Sequence, residues 1–189
     1  MVFLHMPLKS LSRMDLQGVN PRLNLPSRFR GNDPEASFLA EFQVAYISSL
    51  KRRGVAYRDF PLQGYGIPDL VWLSWNHRNG ATVLKLRKNP AKLYAKRLTA
   101  FELKLADWRK GMMQAYRYSY FANRSILVIP PSLMKNVKAK LDLFRTAKVG
   151  LWVFDPQTKR IRKLITPRLR QPKNQLAYLK AIQAISRLA

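Results

Sequence analysis

The stretch that most constrains the fold runs from 99 to 121: Thr-Ala-Phe-Glu-Leu-Lys-Leu-Ala-Asp-Trp-Arg-Lys-Gly-Met-Met-Gln-Ala-Tyr-Arg-Tyr-Ser-Tyr-Phe. Phe101, Leu103 and Leu105 alternate with Glu102 and Lys104. Period two predicts a strand over 100–105 with both charged side chains on one face and the apolar ones on the other. Asp107 is a good N-cap, and no proline interrupts 108–121, so a helix is expected to follow at once. A carboxylate and an amine side by side at the end of a strand can do chemistry if other parts of the chain bring partners to them.

The elements before this stretch supply candidates. Residues 1–33 hold Pro7, Pro21, Pro26, Gly18 and Gly31 among arginines and read as an irregular basic arm. Asp33-Pro34 opens a helix expected over 34 to about 53, because Pro suits the first helical position and Gly54 the exit. Phe38, Leu39, Phe42, Tyr46 and Leu50 form its apolar stripe; Glu35 falls on that inward face and Glu41 at its edge. Glu35 is also an ordinary first-turn acid favoured by the helix dipole. A strand is expected over 55–60, then a Gly-rich turn over 61–68. A second strand over 69–75 is headed by Asp69, and a third over 81–86 would close a hairpin with it. Residues 87–98 are basic, with Lys88, Lys92, Lys96 and Arg97.

Beyond the helix at 107–121, the apolar run 125–129 suits a buried strand and 132–147 a helix with Leu133, Val137, Leu141 and Phe144 in phase. Strands are expected at 150–154 and 160–165, a Pro/Arg/Lys linker over 166–174, and a closing helix over 176–188. This order implies an α/β sandwich around a mixed sheet, with 34–189 as a single domain.

Charge narrows the partner. The 35 Lys and Arg against 10 Asp and Glu leave a formal charge of +25. Self-repulsion of that size is relieved by a polyanion, which makes nucleic acid the expected partner. An anionic membrane is the weaker option, since no apolar run approaches a bilayer span and 1–7 is too short for a secretory signal. The absence of cysteine excludes disulfides and Cys-based zinc sites and is compatible with a cytoplasmic home. His5 and His77 lack ligand spacing and read as surface residues. Trp72, Trp75, Trp108 and Tyr116 suit core packing, or stacking on unpaired bases.

Hydrolytic chemistry in such a chain must rest on carboxylates, lysine and a hard metal ion. Phosphodiester cleavage needs Mg²⁺ on oxygen ligands to polarise the phosphate and lower the pKa of a water. Asp69 and Glu102 supply carboxylates if their strands are adjacent, and the backbone carbonyl of Leu103 adds an oxygen. Lys104, on the Glu102 face, can orient the water or offset charge on the phosphate.

Pro68-Asp69 followed by Glu102-Leu-Lys104 resembles the PD-(D/E)xK nuclease superfamily, and Gln114-Ala-Tyr-Arg-Tyr118 on the next helix resembles the Gln-x-x-x-Tyr element of several of its branches. The resemblance covers about 34–130 and leaves 131–189 as a variable extension. It implies a restriction-endonuclease-like αβββαβ core and Mg²⁺-dependent cleavage, with Mn²⁺ as a substitute, usually of DNA, with RNA left open. It implies that Gln114 and Tyr118 contact the substrate strand or support the metal site. Arg117 could reach a phosphate, and 87–98 becomes an insertion facing DNA. The first-helix acid is Glu35 by helical phase or Glu41 by its nearness to the strands. Cutting both strands of a duplex would be simplest with a homodimer. The alternative is a nucleic-acid-binding or assembly protein on the same fold without turnover.

Overall fold

The computed structural model describes residues 33–50, 54–75 and 96–188. The expected arm over 1–33 (apart from Asp33), the expected strand at 81–86 with its hairpin, and Lys88 and Lys92 lie outside these residues. The elements run α1 (Pro34–Ser48), β1 (Gly54–Arg58), β2 (Leu70–Ser74), β3 (Arg97–Leu103), α2 (Trp108–Tyr118) and β4 (Arg124–Ile129). They continue through a 3-10 turn (Pro131–Leu133), α3 (Met134–Lys138), α4 (Leu141–Ala147), β5 (Gly150–Asp155), β6 (Arg160–Ile165) and α5 (Gln175–Leu188).

The six strands of the described residues form one mixed sheet in sequence order. β1, β2 and β3 are antiparallel neighbours, β3, β4 and β5 run parallel, and β6 returns antiparallel on β5. Antiparallel strands can follow one another through short turns, whereas each parallel step needs a helical crossover. Here α2 makes the first crossover, and α3 with α4 makes the second.

Helices cover both faces, so the central strands read as nearly continuous apolar runs. On one face, α1 lays Phe38, Leu39, Phe42 and Tyr46 over Trp72, Phe101, Leu103, Ile126, Trp152 and Phe154. Rings meet edge to face there, with Tyr46 and Phe101 centroids 4.8 Å apart. On the other face, Val71, Leu73, Leu98 and Ala100 meet Tyr118, Phe121 and α5. Leu127, Ile129 and Leu151 meet Trp108, Val137 and Phe144 beside them. Trp72, Trp75 and Trp108 are thus core residues, while Tyr116 stays 40% exposed.

Two expectations change. The first helix ends at Ser48, short of the expected 53. The helix expected over 132–147 is broken into three short pieces, with Lys140 leaving helical geometry at φ −121°, ψ 18°. Its stripe is real, since Val137 and Phe144 are both buried. However, α3 has no side-chain cap and carries Lys135 and Lys138 three apart, a like-charge pair that weakens a short helix. Among the described residues, no helix is long and apolar enough to cross a membrane.

Candidate active site

The register of β2 on β3 pairs Leu70 with Phe101, which sets Asp69 across from Glu102 at the next step. Alternation then separates β3 cleanly. Phe101 and Leu103 enter the core under α1, while Glu102 turns to the face that α2 covers. Leu103 N–H donates to Asp69 Oδ2 at 2.6 Å and locks the carboxylate against the end of β3. Asp69 O also accepts from Asp59 N–H.

Glu102 is 1% exposed. The Tyr118 hydroxyl donates to its Oε2 at 2.5 Å and lies 3.2 Å from the Ile67 carbonyl. Lys104 Nζ stands 2.8 Å from Oε1 as a close ion pair. Gly111 makes room for this arrangement. A Cβ there would come within 2.7 Å of Lys104 Cγ and of Leu127 Cδ1, so only a glycine lets the lysine stem cross under α2.

The electrostatics follow from burying two acids together. Burial, then the Glu102 charge, raise Asp69 from 3.8 to about 7, against the lowering by Leu103 N–H and Lys104. Burial likewise raises Glu102, opposed by its contacts with Lys104 and Tyr118. For Lys104, burial works to lower the ammonium, but Glu102, Asp69 and Glu35 outweigh it and hold it above its ordinary value. Burial, then the Glu102 charge, push the Tyr118 phenol well up, so it remains a donor.

The remaining expected residues divide. Glu35 is exposed rather than inward, in the first turn that Asp33 caps, yet its charge reaches both Glu102 and Lys104. Glu41 is engaged elsewhere, in an ion pair of 2.6 Å with Lys159. Of the two first-helix acids, Glu35 is the one whose charge acts on Glu102 and Lys104. Gln114 lies on α2 between Gly111 and Tyr118, with Oε1 buried and, among the described residues, without a hydrogen-bond partner. Tyr118 is 1% exposed and braces Glu102, so of its two implied roles its position fits support of the carboxylates. Arg117 is exposed on the last turn of α2. Lys96 and Arg97 stand at the start of β3, at the other end of that strand from Glu102.

Sequence reasoning missed Asp59. It follows β1, adopts a left-handed φ of 45°, and adds a negative charge near Asp69. The signal was weak, an acid before Phe60-Pro61 at a strand end. Asp59, Asp69, Glu102 and Glu35 thus gather at one end of the sheet in a chain with only 10 acids.

Among the described residues no three acids or histidines close on one metal position. The pair fits a hard divalent ion all the same, because Mg²⁺ is commonly held by one or two carboxylates and keeps several waters. Burial raises both the half-buried Asp69 and the buried Glu102, and the Glu102 charge adds to the rise at Asp69, so the two carboxylates form an oxygen donor set that a divalent charge would relieve. Comparison of the chain with protein-family models and with curated proteins finds no match.

Proposed function

We propose that the chain is a Mg²⁺-dependent DNA nuclease of the PD-(D/E)xK kind, cutting phosphodiester bonds internally. The observation that carries the reading is Asp69 opposite Glu102 on adjacent antiparallel strands, with the Lys104 ammonium 2.8 Å from Glu102. The order α1-β1-β2-β3-α2-β4 around a mixed sheet supports the restriction-endonuclease-like core that the motif implies.

When bound, the metal ion would polarise the scissile phosphate and make an associated water more acidic. Asp69 and Glu102 would hold it through oxygen, with the Leu103 carbonyl as a further ligand. The Leu103 N–H and the Tyr118 hydroxyl keep the two carboxylates in fixed orientations, so little reorganisation is needed on loading. Lys104, charged at neutral pH, is suited to orient the attacking water and to offset charge on the phosphate. Gln114 Oε1, an orphaned acceptor, is suited to a water or a substrate hydrogen. The +25 charge holds the strand through its phosphates and makes binding steeply salt-dependent.

Lys104→Ala should abolish Mg²⁺-dependent cleavage of plasmid DNA and leave binding within a few-fold. Mn²⁺ should support the wild-type reaction. Undiminished cleavage by Lys104→Ala would sink the reading. A second reading, binding without turnover, draws on the Tyr118 and Lys104 contacts that already occupy Glu102. It expects tight, salt-sensitive binding and no cleavage of linear, circular, branched or single-stranded DNA, or of RNA, with either metal.

A further inference from the structure

A second polar site lies toward the opposite end of the strands. β4 begins at Arg124, which pairs with Thr99, three residues before Glu102 on β3. There the chain encloses a cavity of about 310 Å³, walled by the end of α2, the start of β4, the end of α4 and the segment after β6. Ligand sites for small molecules begin at about this size, roughly 300–1,000 Å³.

The segment over 166–174, read from sequence as a mere linker, is pinned across this junction. Arg170 N–H donates to Asn123 O, Lys173 N–H to Ser119 O and Asn174 N–H to Tyr120 O. The Asn123 side chain adds a bond from Nδ2 to Arg170 O while its Oδ1 accepts from Leu98 N–H. The strap therefore carries Arg168, Arg170 and Lys173 to a fixed place beside Arg124 and Lys148.

Among the described residues five cations and no carboxylate line the cavity. Among the described residues none of the five is in an ion pair. The ends of α2 and α4 also face it and favour cations, but each helix end is worth only about half a charge. Arg124 Nε also donates to the Pro167 carbonyl at 2.9 Å, so what meets these cations is helix-end and carbonyl dipoles, with no counter-charge among the described residues. Two hydroxyls sharpen the point. Ser125 is 2% exposed, and among the described residues neither its Oγ nor the buried Ser119 Oγ has a hydrogen-bond partner. A buried hydroxyl without a partner is destabilising unless a ligand or water takes up its hydrogen bonding. Both line this one cavity.

We propose that this pocket binds a phosphate group, carried by a nucleotide or by a nucleic-acid strand, at a place separate from the carboxylates. Phosphate supplies the negative charge the five cations lack and acceptor oxygens for both hydroxyls. Tyr116 in the pocket wall is 40% exposed, and Tyr120 nearby is 37% exposed. Lys173 Nζ lies 3.8 Å and 5.0 Å from their ring centroids. The rings hold that lysine in position by cation–π attraction and offer a flat surface to a base.

The test is calorimetric titration of the full chain in EDTA with deoxyadenosine 5′-monophosphate, with deoxyadenosine as the phosphate-free control. The monophosphate is expected to bind one to one, and the nucleoside at least tenfold more weakly. Arg168→Gln with Lys173→Gln should weaken the monophosphate at least tenfold, and Ser125→Ala several-fold. Lys180→Gln with Arg187→Gln removes the same charge from exposed positions of α5 outside the pocket and should stay within twofold. Displacement of the monophosphate by a 5′-phosphorylated oligonucleotide would identify a strand as the source, and binding without displacement a free nucleotide; either supports the site. Equal losses in the two double variants, equal binding of the nucleoside, or no binding of the monophosphate would overturn it. Asp69→Asn should bind the probe as wild type does, so the pocket and the nuclease reading can fail separately.

Discussion

Replacing Asp69 by asparagine should make the protein more stable and inactive at once. In the folded state Asp69 holds its proton up to about pH 7, against 3.8 for the ordinary side chain. A carboxyl whose pKa is raised on folding contributes stability fully at pH below about 4, and that contribution is lost as pH rises through about 7. The difference corresponds to about 4 kcal/mol, an upper bound because Asp69 and Glu102 titrate together. An asparagine in its place is neutral at every pH, and the amide oxygen can still accept from Leu103 N–H. At pH 8 in EDTA the Asp69→Asn variant should therefore exceed wild type by on the order of 2–4 kcal/mol. For a chain of this length that is a rise in Tm of roughly 5–15 °C. Near pH 4 the two should nearly coincide. Thermal unfolding followed by circular dichroism at pH 4 and pH 8 measures both. Added Mg²⁺ at pH 8 should raise the wild-type Tm by binding the ionised pair and leave the variant almost unmoved. A variant no more stable than wild type at pH 8, or a difference independent of pH, would refute the strained carboxylate pair.

Other residues give sharper local tests. Tyr118→Phe removes the 2.5 Å bond to Glu102 and should cost about 1–3 kcal/mol in chemical denaturation while cutting the cleavage rate more than DNA affinity. Gly111→Ala forces a Cβ against Lys104 Cγ and Leu127 Cδ1 and should lose about 1–3 kcal/mol; single-turnover kinetics should show slower cleavage through the displaced lysine. Glu41→Gln breaks only a surface pair with Lys159, whose side chains are 39% and 59% exposed, so denaturation should move by less than about 1 kcal/mol and cleavage should be unchanged. A large loss of cleavage there would return Glu41 to the site in place of Glu35.

The local patterns were legible wherever one residue's surroundings depend on near neighbours. Period two along 100–105 put Glu102 and Lys104 on one face, and the two charges do meet at 2.8 Å. Asp33-Pro34 and Asp107 marked helix starts correctly, because a cap is satisfied within three residues. The apolar runs at 125–129 and 150–154 became β4 and β5, as buried parallel strands should.

What the sequence by itself determined, then, was the α/β class, most of the element order among the described residues, and the residues competent for chemistry. Tertiary structure alone decided which of them meet. Asp69 faces Glu102 because of strand register, and Glu41 turns to Lys159, 118 residues away. Tyr118 became a brace for Glu102, and the Pro/Arg/Lys linker over 166–174 became part of the wall of a cationic pocket. Periodicity reports which way a side chain points. It carries no information on which distant segment arrives opposite, since that is settled by the packing of the whole sheet and its helices.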